Sequence, residues 1–345
     1  MYKGLIIGAG NIGYGFQNYG VGFPTTHFEA YMQNSELELV GISESDPELL
    51  LKLKKNHNFS IAASYMALLR KESPDIVSIC TPDETHYDIL CEVLSCDFIK
   101  GIWCEKPVTL SLAQARDIER RSAKKHIPVL VNFIRRYDPF YTYLKDHMND
   151  LLGEIQAVTV YYSGGLVTNG SHVCDLLSYW FGDCKAVSAR TLKNEIFGQA
   201  EYENGMIAHL VPMDGKKYPM LEFNIFGTKA RLDTINKPFG AYDYRYFKAE
   251  ESQYLNISFV SRKEERPIPD DFSRSYMSNA LDDLLKCVKT GIEPKSSVRS
   301  ALSSLEMISG LWSSAGQGNR VTFPLENENI ILNSGIGDAS LWKKN

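Results

Sequence analysis

Two side chains in this sequence have the type and surroundings to handle protons and developing charge. Lys106 stands in Glu105-Lys106-Pro107, directly after the apolar run Gly101-Ile102-Trp103-Cys104. An ammonium there can donate to an oxygen that turns into an alkoxide. Desolvation and nearby positive charge can lower its pKa enough to let it pass a proton. Pro107 fixes the chain direction just after it. His172 stands in Asn169-Gly170-Ser171-His172-Val173-Cys174-Asp175. A helix from Asn169, ended by Gly182, puts Val173, Leu176, Leu177 and Trp180 on an apolar face, with His172, Asp175 and Tyr179 on an adjoining one. A histidine beside an acid on a half-polar face can transfer protons. Each residue also has a plain structural reading: a surface lysine paired with Glu105, and a core histidine with satisfied hydrogen bonds.

A third constellation concerns a phosphate-bearing ligand. Leu5-Ile6-Ile7 runs into Gly8-Ala9-Gly10-Asn11-Ile12-Gly13, a G-x-G-x-x-G that follows the first strand of a strand–helix series. Gly8 allows the tight turn, Gly10 lets the backbone approach a pyrophosphate, and Gly13 permits close helix–sheet packing. The following helix N-terminus is expected to face the phosphates. The second strand, Val40-Gly41-Ile42-Ser43, delivers Glu44. A carboxylate there accepts ribose 2′- and 3′-hydroxyls and repels a 2′-phosphate, which predicts NAD in preference to NADP. Glu44 lies 31 residues beyond Gly13, against a usual gap of about 20. The excess matches an insertion, Tyr14–Thr26, rich in glycine and aromatics.

Elements must hold these groups. Apolar runs at Gly4–Ile7, Leu37–Ile42, Ile76–Cys80, Gly101–Cys104 and Val129–Val131 alternate with helical patterns at Pro47–Lys55, Tyr65–Lys71, Thr85–Leu94 and Leu112–Lys125. That alternation predicts βαβ units and a buried parallel sheet, so an α/β Rossmann domain, doubly wound, over 1–133. Asp46-Pro47 and Ser111 mark helix starts. After Asn132 come the strand-like segments Ile155–Tyr162, Met206–Val211, Leu221–Phe226 and Tyr242–Lys248, with turn signals at Glu203-Asn204-Gly205 and Gly227-Thr228-Lys229. Helical stretches follow at Tyr276–Thr290 and Ser297–Ser314, then a polar tail from Asn327. This half, 134–345, predicts an α+β domain with an open, mostly antiparallel sheet.

Composition narrows the class. With 345 residues and a net charge of −5, the chain shows no basic stripe, so nucleic acid is not an expected partner. The apolar run at the N-terminus is too short for a signal peptide or a membrane span. Seven scattered cysteines without C-x-x-C spacing predict free thiols in a reducing cytosol and no metal site. The aromatic strands of the second half predict a homo-oligomer, a dimer or tetramer, built on the exposed sheet face.

Taken in order, Gly8–Gly13, Thr81-Pro82 with His86, Glu105-Lys106-Pro107, Arg136-Tyr137-Asp138-Pro139, the Gly164-Gly165 segment leading to His172 and Asp175, and the Gly227-Thr228-Lys229 turn resemble the glucose–fructose oxidoreductase / inositol dehydrogenase (Gfo/Idh/MocA) superfamily along nearly the whole chain. The resemblance implies that Lys106 and His172 are catalytic. It implies that Gly8, Gly10, Asn11, Ile12, Gly13, Glu44, Thr81, Pro82 and His86 bind the cofactor, with Glu105 and Lys106 beside it. Thr168, Asn169, Asp175, Arg136 and Tyr162 are the expected substrate-side residues. Many members carry Asp where this chain has Thr168, and the segment ending at His172 is similar to a branch associated with surface polysaccharides and nucleotide sugars. The implied activity is NAD-dependent hydride transfer at a ring carbon of a sugar or nucleotide sugar. The alternatives are turnover of a non-sugar carbonyl, or a non-catalytic dinucleotide-sensing regulator. Thr168 lends weight to the regulator; retention of both Lys106 and His172 counts against it.

Overall fold

The computed structural model describes residues 1–15, 22–192, 195–214, 219–236, 242–251, 258–269 and 276–333. The middle of the Tyr14–Thr26 insertion and the end of the polar tail lie outside the described residues. Two compact units divide the chain: Met1–Asp138 with Arg274–Leu302, and Pro139–Ser273 with Ser303–Asn345. Among the described residues no helix is long and apolar enough to cross a membrane.

The first unit is built on six strands: β1 (Tyr2–Ile7), β2 (Leu37–Ser43), β3 (Ser60–Ala62), β4 (Ile76–Ile79), β5 (Gly101–Cys104) and β6 (Val129–Val131). All pair in parallel, in the order β3-β2-β1-β4-β5-β6. That is the doubly wound order, and its reversal lies between β1 and β4, where ligands bind beyond the carboxyl ends. Strands β4, β5 and β6 are buried along their whole length, which explains their unbroken apolar runs. Helices α1 (His27–Gln33), α2 (Pro47–Asn56), α3 (Tyr65–Glu72), α4 (His86–Ser95) and α5 (Leu112–Lys125) connect them. Asp46 caps α2 by accepting from the Glu48 and Leu49 N–H groups, and Ser111 caps α5 through Gln114 N–H.

The second unit carries α6 (Pro139–Leu152) and α7 (Gly170–Phe181). Its nine-stranded sheet comprises β7 (Ile155–Ser163), β8 (Ala186–Leu192), β9 (Glu195–Glu201), β10 (Ile207–Met213), β11 (Leu221–Gly227), β12 (Ala230–Asn236), β13 (Tyr242–Glu251), β14 (Ser258–Glu265) and β15 (Val321–Thr322). The order is β14-β13-β12-β11-β7-β10-β9-β8-β15, antiparallel throughout except for β7 with β10. Burial alternates along β7 and β11. Val158, Val160, Tyr162, Phe223 and Ile225 are buried on one face. Tyr161, Val211, Phe226, Arg231 and Phe247 are partly exposed on the other. Trp180 of α7 packs edge-on against Phe223 (5.0 Å between centroids) and donates its indole N–H to Tyr141 O of α6 (3.2 Å). The expected Asn-Gly turn joins β9 to β10, with Gly205 at φ +83.

Helix α8 (Tyr276–Thr290) departs from the expected domain division at 133/134. It belongs to the first unit. Met277, Ala280, Leu281, Leu284 and Leu285 join the core that also holds Tyr31, Trp103 and Leu130. The last long helix, α9 (Val298–Gln317), follows.

Candidate functional site

The glycine loop closes over the ends of β1 and β4. Gly8 has φ +91, and a Cβ there would lie 2.7 Å from Cys80 O; a Cβ on Gly13 would lie 2.3 Å from Gly8 O. Both positions exclude any larger residue. A Cβ on Gly10 meets nothing within 4 Å among the described residues, so these leave that side of the loop clear, as approach by a pyrophosphate requires. Asn11 is exposed and Ile12 partly so. Where a helix was expected at Gly13 the chain makes a wide turn, Asn11–Gly15; the first α-helix among the described residues is His27–Gln33, capped by Thr26. Tyr14 anchors the turn, its hydroxyl paired with His57 Nε2 (2.8 Å) and its ring against Phe28 (4.9 Å).

Glu44 sits half-buried at the end of β2. Its Oε2 accepts the Ala9 N–H (2.7 Å) and its Oε1 accepts the Asp46 N–H (2.8 Å). The carboxylate is thereby tied to the glycine loop.

Lys106 follows β5 and is half-buried. Burial pushes its ammonium below the usual lysine range. Glu105 and Asp83 pull it back up, Arg135 adds to the downward push, and the net is down. Asp83 is held up by burial, against the opposing pull of Lys106 and His86. Neither Asp83 nor Arg135 was expected from sequence, though each adjoins a recognised motif. A lysine drawn toward neutrality among fixed charges is suited to proton exchange.

Behind Lys106, Glu105 is nearly closed off from solvent. Asn132 Nδ2 donates to its Oε1 at 2.6 Å, and His27 Nε2 lies 3.1 Å from the same oxygen. Burial alone would raise the Glu105 carboxyl; the hydrogen bond and charge of His27, the Asn132 amide and Lys106 outweigh it, and the net is down. Glu105 is thus a support turned into the protein, not an exposed cofactor contact. His86 is likewise wholly buried, its ring nitrogens 2.8 Å from Pro107 O and 2.9 Å from Thr81 O. It braces the two loops that carry Thr81 and Lys106 and does not line a cleft itself. Thr81 is half-buried, bonded by the Thr85 hydroxyl (2.8 Å), and Pro82 is exposed.

His172 belongs to the second unit. It lies in the first turn of α7, buried with Asp175, while Tyr179 is half-buried. Thr168 and Asn169 lie in a wide turn, Gly165–Asn169, just before α7. Thr168 O accepts the Ser171 hydroxyl (2.6 Å), and Asn169 Nδ2 donates to Ser163 O (2.6 Å). Two expected substrate residues are displaced from that role. Tyr162 is fully buried and donates its hydroxyl to Ile196 O (3.1 Å). Arg136 is buried and reaches Lys295 O (3.4 Å); its neighbour Arg135 is the one whose charge reaches Lys106.

Comparison with known proteins adds four findings. A family model described as "Oxidoreductase family, NAD-binding Rossmann fold" (GFO_IDH_MocA) matches residues 3–133, and its partner, the C-terminal alpha/beta domain, matches 156–323. An inositol 2-dehydrogenase of Rhizobium meliloti is 26% identical over 156 residues, 45% of this chain and 43% of that protein. The aligned stretch thus spans less than half of that curated relative. Among solved structures, the WlbA dehydrogenase of Bordetella pertussis, in complex with NADH and UDP-GlcNAcA, is similar with TM-score 0.73 and 20% identity, covering 94% of this chain and 99% of that one. A levoglucosan dehydrogenase in complex with NADH and levoglucosan is similar with TM-score 0.74 and 18% identity, over 94% and 99% of the two chains.

Proposed function

The chain belongs to the Gfo/Idh/MocA family of oxidoreductases and carries its NAD-binding Rossmann domain; on that footing we propose that it is an NAD-dependent dehydrogenase or reductase acting at a ring carbon of a sugar or nucleotide sugar. One observation carries the reading: Lys106, drawn below its usual pKa, is set among Asp83, Glu105 and Arg135 at the end of a strand in a sheet whose glycine loop leaves room for a pyrophosphate. The glycine loop would hold the pyrophosphate, and Glu44 the adenosine ribose in the form lacking a 2′-phosphate. The bound nicotinamide supplies hydride acceptance or delivery. Lys106 donates from Nζ to the reacting oxygen as its charge changes, and His172 exchanges the hydroxyl proton.

The sugar assignment draws on the inositol, levoglucosan and nucleotide-sugar ligands named for the relatives. A role in surface-polysaccharide synthesis draws on the resemblance of the segment ending at His172. Seven free thiols favour a reducing cytosol. The partly exposed aromatic face of the second sheet supports a homo-oligomer; light scattering at micromolar concentration tests it, and a monomeric mass removes it. The decisive experiment is a turnover assay with NAD⁺ or NADH over a panel of sugars, inositols and nucleotide sugars. Turnover of a member that depends on Lys106 supports the reading. Turnover confined to non-sugar carbonyls overturns the substrate class.

A further inference from the structure

A closed polar chain runs behind Lys106. Glu105 Oε2 accepts the backbone N–H of Lys106 (3.3 Å), and Glu105 Oε1 pairs with His27 Nε2 (3.1 Å). His27 Nδ1 pairs with Ser78 Oγ (2.9 Å), and Ser78 donates to the Tyr31 hydroxyl (2.8 Å). Asn132 steadies the same carboxylate from the side and takes the Trp103 indole N–H on its own oxygen (3.0 Å). The His27 ring lies 3.9 Å from that indole, centroid to centroid. His27 and Ser78 are 0% exposed and Tyr31 is 1% exposed. Among the described residues the chain ends at a buried phenol and shows no outlet to water. What it can do is hold a carboxylate still.

We propose that His27 is a positioning residue for Lys106, acting through Glu105, whose carboxylate it fixes beside the lysine. This rests on the reading of Lys106 as the reacting group. The charged and titratable groups that bear on Lys106 are Glu105, Asp83 from the β4–α4 connection, and Arg135 from the turn after β6. Those that bear on Glu105 are His27 and Lys106, and the Asp83 carboxyl and the Cys80 and Cys104 thiols lie within its field. Of these, His27 is the polar donor whose own second nitrogen is secured by a further buried partner. Removing it leaves the carboxylate with Asn132 and the lysine. A less well held, more readily protonated Glu105 gives less support to the ammonium, so Lys106 loses its proton at lower pH.

The test reads Lys106 itself and needs no turnover. The full-length chain is acetylated with acetic anhydride across a pH series, and modification at Lys106 is quantified by mass spectrometry, with melting temperature measured alongside. Glu105→Gln serves as the reference variant. At a pH below the wild-type midpoint, His27→Phe should speed Lys106 labelling by roughly three- to tenfold, in the same direction as Glu105→Gln. His27→Gln, which keeps an N–H donor, should return the rate toward wild type. Ser78→Ala should give a smaller shift of the same sign. Unchanged Lys106 labelling in folded His27→Phe overturns the proposal. Should His27→Phe not fold, an unchanged rate in Ser78→Ala overturns it equally. If labelling responds as expected but Lys106→Ala keeps full turnover, the functional reading fails and the His27–Glu105–Lys106 linkage stands. If Lys106→Ala is inactive but labelling does not respond, only the role of His27 is lost.

Discussion

The two sheets of this protein place chemistry in opposite ways. In the first unit the strands β4, β5 and β6 are buried on both faces, and the groups of the candidate site stand at the carboxyl ends of the sheet. Gly8, Glu44, Thr81 and Lys106 all stand just beyond strands β1, β2, β4 and β5. In the second unit one sheet face is covered and the other open, and His172 is presented by a helix that leans on the covered face through Trp180. Strand-end groups are held by backbone and buried polar partners; the helix that bears His172 packs on its sheet through apolar side chains. The first arrangement suits a ligand recognised through phosphate and ribose.

Substitutions at the strand ends and on α7 should therefore show which groups carry turnover and which carry dinucleotide affinity. The largest loss is expected from Lys106→Ala, with kcat down by about 10³–10⁴-fold and NAD affinity within a few-fold, measured by steady-state kinetics and calorimetry. His172→Ala should reduce kcat by roughly 10²–10⁴-fold, again without touching NAD affinity. An equal loss of NAD binding in that variant would break the contrast. Gly8→Ala reverses the pattern. Its Cβ meets Cys80 O at 2.7 Å and φ is +91, so backbone strain of about 1–2 kcal/mol adds to the clash. NAD affinity should fall at least about tenfold, while His172-dependent chemistry at saturating NAD persists. The smallest effect is on cofactor choice: Glu44→Ala should weaken NAD by about tenfold and NADP less, since a carboxylate accepting two ribose hydroxyls is lost only for NAD. Native preference for NADP in the same titration would reject the Glu44 assignment.

The contrast also governs what could be read from sequence. Strands buried on both faces leave unbroken apolar runs, and Gly101–Cys104 and Val129–Val131 have the bounds expected. Asp46-Pro47 and Ser111 gave helix starts through capping chemistry that is local. In the second unit the turn at Gly227-Thr228-Lys229 pointed to the strand Ala230–Asn236 that follows it, but Ala186–Leu192 went unexpected, because a partly exposed strand interleaves polar residues and loses the signal. Alternation has a sharper cost at single residues. Tyr161 and Tyr162 are adjacent on one strand, and a one-residue choice sends the wrong ring to the core. Arg135 and Arg136 differ in the same way, through the tight turn Ile134–Arg136. The His27–Glu105 pair spans 78 positions and has no local signature; only the parallel sheet brings its ends together.

Helix α8 bears on the order in which the protein is made. The first unit ends its opening stretch at Asp138 but is completed by residues from Arg274 to Leu302. Until that helix is synthesised, Trp103, Leu130 and Tyr31 lack the Met277, Leu281 and Leu284 side chains that close their core. Gly101 shows how tight the closure is: a Cβ there would come within 2.8 Å of Val288. Tyr137 also donates its hydroxyl to Asp283 of the same helix (2.8 Å). The intervening residues 139–273 take a ribosome on the order of ten seconds. During that interval the first unit is a nascent chain whose core lacks the α8 side chains that complete it.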